Sequence, residues 1–212
     1  MKTLALSLIA VLTTATIANA QTVNAQTGDG NALKTFCATP AQVTSVRAAL
    51  AGKEPGPLFG VAGTLKMPEG LVMSALPENE AYGVSPSHFP VVWKSLETWD
   101  DALTLVTKGA NIIEIRGQVG LGEPSKRSKF FNISRKGGGL NGHLRPDLYS
   151  AIYGISRVGK ESTLQGVAFV DQAGDVVFTV YLPSEGETPP APLVKQFEGT
   201  WKLLRSLPAL CQ

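Results

Sequence analysis

Between Ala102 and Leu182 the chain returns repeatedly to short apolar runs, with glycine, asparagine and aspartate gathered in several of the gaps. Runs of this length, bounded by turn formers, read as a series of antiparallel strands. The expected strands are Ala102–Thr107, Asn111–Arg116, Lys129–Ser134, Leu140–Leu144, Ala151–Arg157, Thr163–Val170 and Val176–Leu182. Asp171-Gln172-Ala173-Gly174-Asp175 reads as a hairpin turn, because aspartate bonds its own backbone and glycine accepts a positive φ.

Helical signals lie on both sides of this strand region. Thr39-Pro40 places an N-cap before a proline at the first helical position, and Val43, Val46, Ala49 and Leu50 follow at helical spacing up to Gly52. Ser85-Pro86-Ser87 opens a second helix whose stripe is His88 or Phe89, Val92, Trp93, Leu96 and Trp99. A last helix runs from about Pro192 to Leu207, burying Leu193, Val194, Phe197, Trp201 and Leu204. Leu71–Leu76 is short and apolar and is expected to be a further strand. Helices flanking an antiparallel meander give an α+β fold, an antiparallel β-sheet with N- and C-terminal helices.

The first residues have a different character. Lys2 precedes an apolar and small-residue run, Thr3–Ile17, which ends in Ala18-Asn19-Ala20. This is the three-part layout of a cleavable signal peptide, too short to span a bilayer. The organisation expected is therefore 1–20 signal peptide, 21–36 flexible leader and 37–212 a single domain, with a periplasmic or secreted location. Only two cysteines occur, Cys37 and Cys211, near the two ends of that domain. In an exported chain an even pair is read as a disulfide. The formal net charge of +2 gives no reason to expect nucleic acid as a partner, and no later segment is apolar enough to span a membrane.

Motifs for chemistry are sparse. There is no GxSxG elbow, P-loop or GxGxxG, and a zinc site would need three or four closely placed His, Cys or carboxylate ligands, in a chain with only two histidines. The stretch from Lys129 to Val158, KFFNISRKGGGLNGHLRPDLYSAIYGISRV, is more specific. It sets His143 between Gly142 and Leu144, with Phe130, Phe131, Tyr149 and Tyr153 near it in sequence and Arg145 and Arg157 flanking. An imidazole among aromatics suits haem iron, and guanidinium groups suit its propionates. The competing reading is that His143 is a hydrogen-bonded turn residue.

These residues resemble the HutX/ChuX family of haem utilisation proteins, which is also similar to one half of the tandem HemS/ChuS proteins. The resemblance is carried in order by Met67-Pro68-Glu69-Gly70, Phe89 to Trp99, Phe130-Phe131-Asn132 and Gly139 to Asp147. Ile155-Ser156-Arg157, Gly159-Lys160-Glu161-Ser162, Val167 to Tyr181 and Gln196-Phe197 complete it, so that it covers about Thr39 to Leu207. It implies a HemS/ChuX-like fold that dimerises and holds haem in a cleft of the sheet. It implies His143 as iron ligand, Arg145 and Arg157 as propionate partners, and Tyr149, Tyr153, Phe130 and Phe131 as pocket walls. For Phe130 and Phe131, ordinary strand packing is the alternative; for His88, a second ligand is weighed against a capping or surface role. Asn141 stands where the family has the first His of an HGH pattern, which leaves His143 alone.

The function expected is exported haem carriage, with haem and a haem donor or acceptor protein as partners and a homodimer as the assembly. Two alternatives stay open. One is oxidative haem degradation. The other is a non-haem binding or structural module that has lost the ligand.

Overall fold

The structure is a computed structural model, and it describes residues 35–108, 111–134, 139–183 and 188–211. The signal peptide and almost all of the leader expected from the sequence lie outside the described residues.

Three helices come first: α1 (Pro40–Leu50), α2 (Phe59–Leu65) and α3 (Glu69–Ser74). Thr39 caps α1 in a reciprocal capping box with Gln42, so two otherwise orphaned backbone N–H groups are satisfied. Strand β1 (Ala81–Val84) and a short 3₁₀ turn, Pro86–His88, lead into α4 (Phe89–Leu96). Strands β2 (Leu103–Lys108), β3 (Asn111–Arg116), β4 (Leu121–Pro124), β5 (Phe131–Ser134) and β6 (Gly142–Leu144) follow. A second 3₁₀ turn, Pro146–Leu148, precedes β7 (Tyr149–Val158), β8 (Thr163–Asp171) and β9 (Val176–Tyr181), and α5 (Ala191–Arg205) closes the described chain.

The strands form two antiparallel sheets. One has six strands in the order β1-β7-β8-β9-β2-β3, and the other three in the order β4-β5-β6. The α+β class with antiparallel sheets is as the sequence indicates, and the Asp171–Asp175 hairpin turn is present between β8 and β9. Leu71–Leu76, expected to be a strand, is mostly helix α3. Four successive residues, Gly70 to Met73, are buried there. A short apolar run buried all round has no period to tell strand from helix, so length and flanks had to decide.

Each face of the large sheet has its own core. On one face lie α4, α5 and the small sheet, around Phe89, Trp93, Phe131, Phe169 and Phe197. Stacked and edge-on aromatic pairs such as Phe169–Phe178, with centroids 4.6 Å apart, fill this layer. On the other face α1–α3 pack Val46, Val72 and Met73 against Tyr153, Ile155 and Val170. Full burial of side chains such as Phe89 or Met73 contributes roughly 1.5–3 kcal/mol each.

Helix α4 sets the position of the small sheet. Trp93 Nε1 donates to the Gly120 carbonyl at 3.0 Å, and the Gly122 N–H donates to Glu97 Oε1 at 2.7 Å. Trp99 Nε1 donates to Thr200 Oγ1 at 3.0 Å, joining the end of α4 to α5. The two ends of the domain are fastened together. Cys37 and Cys211 are disulfide-bonded across 174 residues of sequence, and Leu210 N–H donates to the Gly83 carbonyl at 2.8 Å beside β1.

Candidate functional site

Strands β5 and β6 pair with Asn132 opposite His143. Alternation on β5 turns Phe131 and Ile133 into the core and Asn132 the other way. Gly142, at φ 149°, adopts backbone that side chains other than hydrogen rarely allow, and it brings His143 onto the exposed face of the small sheet.

There His143 Nδ1 lies 2.8 Å from Asn132 Oδ1. A carboxamide oxygen only accepts, so Nδ1 is the donor in this contact, the tautomer that leaves the lone pair of a neutral imidazole on Nε2. The Phe130 ring meets the imidazole edge-on with centroids 6.0 Å apart, and Arg145 lies over the same ring at 5.5 Å. Asp147 grips Arg145 through both carboxylate oxygens, at 2.7 and 2.8 Å, and Lys129 Nζ stands 4.0 Å from it. The hydrogen bond from Arg145 holds the Asp147 carboxyl below its ordinary range, so Asp147 is ionised and the guanidinium is oriented. Phe130 is 41% exposed and His143 is exposed too, so imidazole, ring and guanidinium share an open apolar-cationic surface.

The structure therefore brings Phe130, His143 and Arg145 together, and it does not bring the other expected residues to them. Phe131 and Tyr149 are buried in the aromatic core beneath, where both rings contact Phe89. A register shift between Tyr149 and Ala151 breaks the alternation of β7, so Tyr149 faces α4 while Tyr153 faces α1–α3. Arg157 follows Tyr153 and Ile155 on that second face and pairs with Glu80 at 3.1 Å. Burial pushes both phenols, Tyr149 and Tyr153, well above their ordinary range. His88 is half-buried in the 3₁₀ turn ahead of α4.

Three members of the site went unassigned at the level of sequence: Lys129, Asn132 and Asp147. Asn132 stands in the Phe130-Phe131-Asn132 run that carries the resemblance, but only the β5–β6 register shows its partner. Asp147 follows Arg145 by two residues, a spacing that suits a bidentate clamp around a turn.

Residues 83–199, more than half of the chain, match the family of haem utilisation ChuX/HutX proteins. The chain belongs to this family. A curated relative, the intracellular heme transport protein HutX of Vibrio cholerae, is 28% identical over 124 residues, covering 58% of this chain and 62% of the relative. The chain thus spans less than two thirds of that relative's length. The crystal structure of a protein from Erwinia carotovora superposes with a TM-score of 0.66 at 24% identity, over 75% of this chain and 98% of that one. A structure of the heme binding protein ChuX gives 0.65 at 22%, over 76% and 99%. At these identities the likeness is one of fold, and the fold is the ChuX-like one. The name of the Vibrio relative corrects the location expected from residues 1–20. That relative is named as an intracellular heme transport protein, which contradicts the periplasmic or secreted location expected here; residues 1–20 themselves lie outside the described residues.

Proposed function

We propose that this protein is a haem carrier and that it takes haem on the exposed face of β5 and β6, with His143 as the ligand. The observation that carries the reading is the 2.8 Å contact from His143 Nδ1 to Asn132 Oδ1. Histidines that bind metal donate their second ring N–H to a fixed acceptor, which sets the tautomer and the ring plane. Haem, when bound, supplies an iron that accepts an imidazole lone pair and two carboxylates that accept cationic donors. The residues present suit those demands. His143 Nε2 is the free lone pair, Phe130 offers an apolar ring edge, and Arg145 and Lys129 are cations beside it. An open site with one imidazole suits release as much as capture.

The matching experiment is a transfer assay. Purified protein loaded with hemin is mixed with apomyoglobin, and the Soret band is followed. Carriage requires a saturable Soret change on loading and complete transfer to the acceptor. Failure to load, or haem that disappears without reaching the acceptor, would contradict it.

The carrier reading includes assembly as a homodimer, through the free edge of the six-stranded sheet. On β3 the consecutive residues Ile112 and Ile113 are 51% and 53% exposed, so each face of this edge strand presents an isoleucine, with Glu114 and Arg116 beside Ile112. An exposed apolar edge pairs readily with a second copy. Light scattering of the protein and of Ile113→Lys tests this: a dimer that becomes a monomer supports it, and a monomeric parent protein contradicts it.

A further inference from the structure

A cleft of about 870 Å³ opens on the α1–α3 side of the large sheet, between α1, the segment after α3 and the end of β7. Its volume lies within the range of small-molecule sites, roughly 300–1,000 Å³. Three cationic side chains line it, Arg47 and Lys53 near the end of α1 and Arg157 on β7, against a single carboxylate, Glu80. Leu50, Leu76 and Val158 supply apolar wall.

Arg157 is the unusual member. It is 6% exposed, yet its terminal nitrogens are not among the buried atoms that lack a partner, so what remains open of the guanidinium faces the cleft. Glu80 meets Nε alone, at 3.1 Å. Among the described residues the two terminal nitrogens make no hydrogen bond. A carboxylate or sulfonate entering the cleft would meet these donors, with Arg47 and Lys53 adding charge from the rim, while its carbon body covers Leu50 and Leu76. The alternation of β7 keeps Arg157 on the face of Tyr153 and Ile155, away from the side that bears the small sheet and His143.

We infer that this cleft is a second binding site, for a small organic anion with an apolar body, independent of the His143 surface. The inference does not rest on the haem reading. Arg47 and Lys53 are exposed, so their removal leaves the core intact.

The probe is 1-anilinonaphthalene-8-sulfonate, titrated by calorimetry into the purified protein, into Arg47→Ala/Lys53→Ala, into Val158→Glu and into His143→Ala. Circular dichroism confirms that each variant is folded. The inference expects one saturable site in the parent protein and in His143→Ala. In the double variant affinity falls by about tenfold or more, as charge-assisted contacts are lost. Val158→Glu, a new carboxylate at a position 72% exposed on the rim, weakens binding in the same direction. No saturable site in the parent protein, unchanged affinity in the double variant, or loss of binding in His143→Ala would overturn it.

Discussion

Asn132 and His143 face each other across β5 and β6, and the Asn132 side chain holds the imidazole by Nδ1 at 2.8 Å. One amide therefore decides which ring nitrogen is available. Replacing Asn132 with Leu removes the acceptor and leaves the exposed fold nearly unchanged, within about 0.5 kcal/mol of stability. Hemin affinity is expected to fall by about tenfold or more, as when such orienting partners are removed elsewhere. Paired hemin titrations and thermal melts check both parts. Equal affinity in the variant would show that Asn132 does not orient the ligand.

Gly122 shows how the core positions this surface. A Cβ there would lie 2.6 Å from Trp93 Cδ1 and collide with the Phe131 ring, whose strand carries Asn132. Gly122→Ala is expected to cost about 1–3 kcal/mol and to weaken hemin binding through displacement of β5. Melting temperature and hemin titration measured together would show it. A melt unchanged from the parent protein would contradict the packing described here.

Glu69 gives a pH dependence. Its carboxyl is held above the ordinary range chiefly by burial and further by Asp175 and Asp171, against a hydrogen bond from the Val176 N–H. The folded state thus binds this proton more tightly than the unfolded chain does. The charge is a cost at neutral pH, and the cost disappears as pH falls through the raised folded value towards 4.5. Glu69→Gln keeps an acceptor for Val176 and removes the charge. It should raise stability at pH 7 by less than about 1 kcal/mol, given partial solvent screening, and change little near pH 4.5. Melts at the two pH values test this, and a destabilised variant at pH 7 would reverse the sign.

The Cys37–Cys211 bond closes nearly the whole domain into one loop. In the chain-entropy treatment a loop this long stabilises by up to about 5 kcal/mol. Melts with and without a thiol reductant, beside Cys37→Ser/Cys211→Ser, should show a clear loss of stability on reduction and no effect of reductant on the variant. An unchanged melt on reduction would mean that the bond constrains nothing.

Much of this was legible in the sequence, for identifiable reasons. The N-cap at Thr39-Pro40 and the stripe Phe89, Val92, Trp93 and Leu96 are local signals, and local signals survive in the fold. The β8–β9 hairpin is likewise written in Asp171 to Asp175. Strands β1 and β4 are four residues each, with a glycine inside, too short and too poor in β-branched residues to stand out. The site was only partly readable. Tyr149 and Tyr153 are spaced to share a face of a regular strand, but the irregularity beside Ser150 sends them to opposite faces. Arg157 follows Tyr153 by that same alternation. Register and bulges depend on what each strand packs against, and a single run of letters does not carry that.

The most direct measurement is a hemin titration of the purified protein beside His143→Ala, read by visible absorption. A haem carrier that binds through His143 gives a saturable Soret shift near one haem per chain, and the shift is lost or altered in the variant. An identical shift in the variant would contradict His143 as the ligand, and no shift in either protein would contradict haem binding itself.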